Sequence, residues 1–126
     1  MNIQVKTDKL SELTAFRLKG EMDFNEFLAF VETHHKQSAH TKKCIWDFLS
    51  VTGGERVSAL QMGRLYGLCK EYFYGESAHR IAFVINEEMG FGFTHVMAMF
   101  EELYDVYLNV RVFKSIQGAM DWLEES

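Results

Sequence analysis

KKCIWDF at residues 42–48 and RIAFVI at residues 80–85 decide the fold. Each is too short for a helix, and each is rich in β-branched and aromatic side chains. Both read as interior strands, the second buried on both faces. Around them the apolar period changes to 3.6. Phe24, Phe27, Leu28 and Val31 follow i, i+3, i+4, i+7 and predict a helix over residues 24–36. Asp23 and Glu26 open it as a capping box with Asp in place of Ser. A second helix is expected from about residue 56 to residue 74, with Val57, Leu65, Leu68 and Tyr72 on one face and Gly75 as its stop. Phe93, Met97, Phe100 and Tyr104 recur at helical spacing after the second key segment. Ile116, Ala119, Met120 and Leu123 do so again near the C-terminus, capped by Ser115. Ile3 and Val5, then Leu13, Phe16 and Leu18, alternate with polar neighbours. They predict two opening strands around a turn near Asp8 and Lys9, the second ended by Gly20; residues 110–113 form a last short strand.

The order is β-β-α-β-α-β-α-β-α over residues 1–126, one α/β domain. Strands alternating with helices need right-handed crossovers, which give a mixed, mostly parallel five-stranded sheet with helices packed on it. In such sheets, ligands and switchable residues gather outside the carboxyl ends of the strands. Here those are the loop after Asp47, with residues 50–54 read as loop by composition, and the loop after Ile85.

Composition narrows the class. The chain has 126 residues, 48% apolar and 25% charged, with eleven Phe, five Tyr and two Trp to build a core without metal or disulfide support. It contains no proline and no run of eighteen apolar residues, so no membrane span is expected. The polar N-terminus reads as no secretory signal, and Cys44 and Cys69 read as buried reduced thiols; together these point to the cytoplasm. Net charge is −5, and residues 71–126 alone carry 3 basic against 10 acidic groups, which opposes nucleic acid and anionic lipid as partners.

The element order, the strand ending in Asp47 before a Ser/Thr/Gly loop, and VFKSIQGAMDWL at residues 112–123 together resemble the STAS superfamily, in its branch of small stand-alone SpoIIAA-like proteins. The resemblance implies a compact non-catalytic regulatory module that binds a protein partner, as antagonists of anti-sigma factors do. A second group, similar to CRAL-TRIO lipid-transfer domains, implies a small apolar ligand instead. The family carries an Asp at the end of the central strand and Asp-Ser-Ser-Gly at the following helix. Asp47 matches the first Asp. Glu55 falls at the second and Arg56 at the usual phospho-acceptor Ser, with Ser58 two positions late. An arginine accepts no phosphoryl group, so the usual switch is in doubt, although Ser50, Thr52 and Ser58 remain nearby hydroxyls. Asp47, Ser50, Thr52, Glu55, Arg56 and Ser58 are the expected partner loop.

Other motifs yield less. His34, His35 and His40 sit near one helix end without a carboxylate or Cys at ligand spacing, and a solvated helix C-terminus accounts for them. Cys69 and His95 carry no nucleophile–base signature. NEEMGFGFT at residues 86–94 lacks both full phosphate-loop spacing and the Walker lysine. No catalytic residue, cofactor or metal is therefore expected. Met89, Phe91 and Phe93 on that segment, with Met62 and Tyr66 on the long helix, are the candidates for an apolar pocket or docking patch. Gly63 and Gly67, one turn apart within that helix, suggest a close approach by the sheet, another helix or a second copy in a homodimer.

Overall fold

The structure is a computed structural model, and it describes residues 1–37, 42–52, 58–73, 80–86 and 110–125. They form strands β1 (Asn2–Asp8), β2 (Leu13–Glu21), β3 (Lys43–Thr52), β4 (Arg80–Val84) and β5 (Val110–Phe113), and helices α1 (Phe24–Gln37), α2 (Ala59–Phe73) and α3 (Ile116–Leu123). The sheet order follows the chain, β1-β2-β3-β4-β5. β1 pairs antiparallel with β2, and every later pair is parallel. The expected mixed, mostly parallel sheet is the one the chain forms. The helix expected over Phe93–Tyr104 lies outside the described residues.

Successive steps in one direction, each right-handed, put the crossover helices on the same face. α1 and α2 share that face and its aromatic core. Register places Phe16, Trp46 and Phe83 side by side on β2, β3 and β4. Phe16 and Trp46 stack at 3.9 Å, and Phe27 of α1 meets the Trp46 ring edge-on at 5.4 Å. Leu28 and Val31 of α1 and Leu65 and Leu68 of α2 complete the layer, all buried. His34 is half-buried against Phe16 at 4.7 Å and stacked on Phe30 at 5.8 Å. This corrects its reading as a solvated terminal residue: one turn after Phe30, position 34 returns to the core face. His35 and His40 lie outside the described side chains.

α3 packs on the opposite face, with Ala119, Trp122 and Leu123 over Ile45, Ala82 and Val84. The Ser115 hydroxyl accepts from the Gly118 amide at 3.1 Å and caps the helix as expected. Two guanidiniums lie over the Trp122 ring, Arg80 at 5.4 Å and Arg111 at 5.5 Å, and Arg80 Nη1 donates to the Trp122 carbonyl at 2.6 Å. The Ala-x-x-Trp-Leu ending is thus a packing motif. Ile116 departs from the expected stripe; it is 37% exposed, and Trp122 fills the core position instead.

Three further expectations change. Cys44 is a free thiol but only half-buried; Cys69 lies outside the described side chains. α2 begins at Ala59 rather than near residue 56, because Ser58 and Gln61 close a capping box: the Gln61 amide donates to Ser58 Oγ at 3.1 Å, and the Ser58 amide donates to Gln61 Oε1 at 2.9 Å. Gly63 and Gly67 are exposed, and a Cβ at either meets nothing within 4 Å, so no described residue approaches them closely. With space available, Gly63→Ala and Gly67→Ala should each stabilise α2 by about 0.5–1 kcal/mol. Thermal unfolding of each variant checks this; a lowered midpoint would contradict it.

Candidate functional site

Asp47 does not end its strand. β3 continues through Ser50 to Thr52, which corrects the loop reading over residues 50–52; residues 53 and 54 lie outside the described residues. The reason is a single extra residue. Arg17 pairs with Asp47 and Lys19 with Ser50, so Phe48 and Leu49 together oppose Leu18. Such a bulge bends the strand and shifts its side-chain alternation by one. Phe48 and Val51, three apart, are therefore both buried in the aromatic layer, whereas Leu49 is 39% exposed. Asp47 Oδ1 accepts from the Leu49 amide at 2.9 Å, and its Oδ2 stands 3.8 Å from Arg17 Nε.

A second clamp comes from β4. Asn86, just beyond Val84, reaches the bulge with its amide nitrogen 3.1 Å from the Phe48 carbonyl and 2.9 Å from those of Leu49 and Val51. Backbone carbonyls turned out of the ladder need donors, and one side-chain amide supplies them. The exits of β3 and β4 thus share one edge. Sequence reading placed the site at this edge but missed Asn86, whose signal is only an Asn directly after a buried strand.

The rim extends to both helix starts. Met22 N donates to Thr52 O at 3.2 Å, joining the ends of β2 and β3. Asp23 Oδ1 accepts from Glu26 N at 3.1 Å and caps α1, while the Glu26 carboxylate turns to the N-terminal ammonium at 3.4 Å. Gln61 Nε2 donates to Asn25 Oδ1 at 3.1 Å and ties α2 to α1. Between them opens a cleft of about 420 Å³, lined mainly by polar groups including Glu21, Asp23, Asn25 and Gln61. Leu60, in the first turn of α2, is 85% exposed beside it.

The expected partner residues separate. Asp47, Ser50 and Thr52 point to the sheet face opposite α1 and α2, since Val51 between the last two is buried toward those helices. Ser58 belongs to the rim as the cap of α2. Glu55 and Arg56 lie outside the described residues, as do Met89, Phe91 and Phe93. Met62 and Tyr66 fall on α2, with side chains outside the described set. Among the described residues no group of three or more His, Cys, Asp or Glu side chains converges to hold a metal, and no helix is long and apolar enough to cross a membrane.

No protein-family model and no curated protein matches the chain. Solved structures do. An anti-sigma factor antagonist from Mycobacterium paratuberculosis is 9% identical over 98% of this chain and 94% of that one, with a TM-score of 0.60. The Bacillus cell fate determinant SpoIIAA in its phosphorylated form is 20% identical over 98% and 100%, with a TM-score of 0.54. A DUF3478-family protein with a SpoIIAA-like fold from Shewanella loihica is 15% identical over 97% and 92%, with a TM-score of 0.56. The mixed five-stranded sheet, its flanking helices and these likenesses give this chain a STAS fold of the SpoIIAA-like form.

Proposed function

We propose that the chain is a non-enzymatic regulatory module that docks a partner protein in the cytoplasm, through the rim formed by the end of β3 and the first turn of α2. The observation that carries this reading is the end-to-end likeness to anti-sigma factor antagonists, which spans 99% of this chain for SpoIIAA in its unphosphorylated form and 98% for the Mycobacterium paratuberculosis protein. The rim supports it with Leu60, a large apolar side chain left 85% exposed beside polar Ser58 and Gln61. The polar lining of the cleft favours protein docking over retention of an apolar ligand. A phosphoryl switch is no part of the role. Arg56 stands where the family's acceptor Ser would be, and the Ser58 hydroxyl is engaged by the Gln61 amide. Intact mass of the chain from its native host should therefore equal the unmodified sequence mass; added phosphate would contradict this.

The docking claim is tested by immobilising the chain, exposing it to lysate of its native host, and identifying retained proteins by mass spectrometry. Leu60→Glu should lower retention of the specific partner about tenfold or more, as loss of an interface anchor does, with unfolding unchanged. Retention unaffected by Leu60→Glu, or no retained protein at any concentration, would overturn the proposal.

A further inference from the structure

The sheet ends in a long free edge. β1 stands first in the strand order, and among the described residues it pairs with β2 alone. All of Asn2–Asp8 holds register with β2, and no bulge breaks the ladder. The backbone N–H and C=O groups that alternate away from β2 therefore form an unfilled ladder. Proteins guard such an edge with a short strand, a proline, a bulge or an inward-pointing charge. β1 has neither proline nor bulge, and its Lys6 lies with Asn2 and Gln4 on the sheet face away from α1.

On the α1 face, Ile3, Val5 and Thr7 stand opposite Leu18, Phe16 and Thr14 of β2. Phe16 is buried, but Val5 beside it is 44% exposed, so the apolar layer ends at an uncovered side chain on the sheet edge. Val5 is also the centre of the strand. An antiparallel pairing of β1 with a second β1 has its two-fold axis normal to the sheet, and residues of one face meet residues of the same face. Centred on Val5, this pairing sets Val5 on Val5, Ile3 on Thr7, Gln4 on Lys6 and Asn2 on Asp8, and it uses the whole strand. No like charges face each other. Centring on Gln4 or on Lys6 leaves two residues of each strand unpaired, and the Lys6 centre sets two ammoniums together. The strand is complementary to itself in one register.

We propose that two copies of the chain join edge to edge through β1 and make one continuous sheet. The α1–α2 layers of both copies then lie on the same side, and each Val5 covers the other. The axis closes the assembly at two. This contact is separate from the rim and from the glycine-bearing face of α2. It buries a single strand edge and little else, so its dissociation constant is expected at about 10–100 μM, in the range of weak interfaces.

Sedimentation equilibrium of the full chain should report the chain mass at about 5 μM and approach twice that mass at about 500 μM. Val5→Lys and Val5→Glu each set like charges face to face on the axis, and each should raise the dissociation constant about tenfold or more. An equimolar mixture of the two variants should associate more tightly than either alone, because the new charges then attract across the axis. Circular dichroism checks that each variant is folded. Should either fail to fold, amide chemical shifts of the wild type between about 5 and about 500 μM read the same contact, and they should move chiefly in Asn2–Asp8. A monomer at every concentration, a dimer that both substitutions leave intact, a mixture no tighter than its components, or shifts centred away from β1 would overturn the proposal.

Discussion

Trp46→Ala is expected to lower the unfolding free energy by about 3–5 kcal/mol, a large share of the roughly 5–15 kcal/mol that holds a typical domain. The side chain is 4% exposed and central to the aromatic layer: it stacks on Phe16, meets Phe27 and Phe30 edge-on, and lies parallel to Phe83 at 6.4 Å. Alanine would leave a cavity against three strands and α1, which rigid neighbours cannot close. Trp46→Phe should cost far less, since a ring in that position keeps the stack on Phe16. Urea unfolding of both variants measures the difference. A loss under about 1 kcal/mol for Trp46→Ala would place the residue outside the core.

Asn86→Asp carries the second large effect. The change replaces the amide donor facing three carbonyls with a carboxylate, so the bulge loses its clamp and gains a repulsive charge. Asn86→Ala should cost about 1–3 kcal/mol, and Asn86→Asp more than that at pH 7. The sign of its pH dependence follows. Carbonyl oxygens around the new carboxyl raise its folded-state pKa above the unfolded value of about 3.9. The stability lost to ionisation is therefore absent below that value and grows as pH rises through the folded pKa. The deficit of Asn86→Asp relative to wild type should accordingly narrow on titration from pH 7 toward about pH 4. A deficit constant across that range would remove Asn86 from the clamp.

These residues also show what the sequence made legible. Strand positions and order followed from period-2 and apolar runs, and α1 from its i, i+3, i+4, i+7 stripe, because burial on one face imposes those periods directly. The end of β3 was not legible. The bulge at Phe48 and Leu49 interrupts the alternation, and Ser50-Val51-Thr52 then reads as loop composition. What holds the bulge is Asn86, 35 to 38 residues away, a contact no local pattern encodes. The Ser58-x-x-Gln61 capping box was present as a signal; counting Val57 into the apolar stripe drew the helix start too early. Gly63 and Gly67 mark no close packing against another described residue of the same chain. Glycine in a helix marks either close approach or tolerated weakness, and here a Cβ would meet open space. The shared edge after β3 and β4 was legible as a place, but the residues that line it were not. Side chains leave that edge toward both faces, and a one-residue shift decides which.

Everything assigned to the rim depends on β3 and β4 lying adjacent and parallel. Cross-strand nuclear Overhauser effects between backbone protons test this most directly. The pairs Cys44–Ile81, Ile45–Ala82, Trp46–Phe83 and Asp47–Val84 should appear in ascending order along both strands. Contacts in descending order, or none between the two segments, would separate the exits and contradict the shared edge.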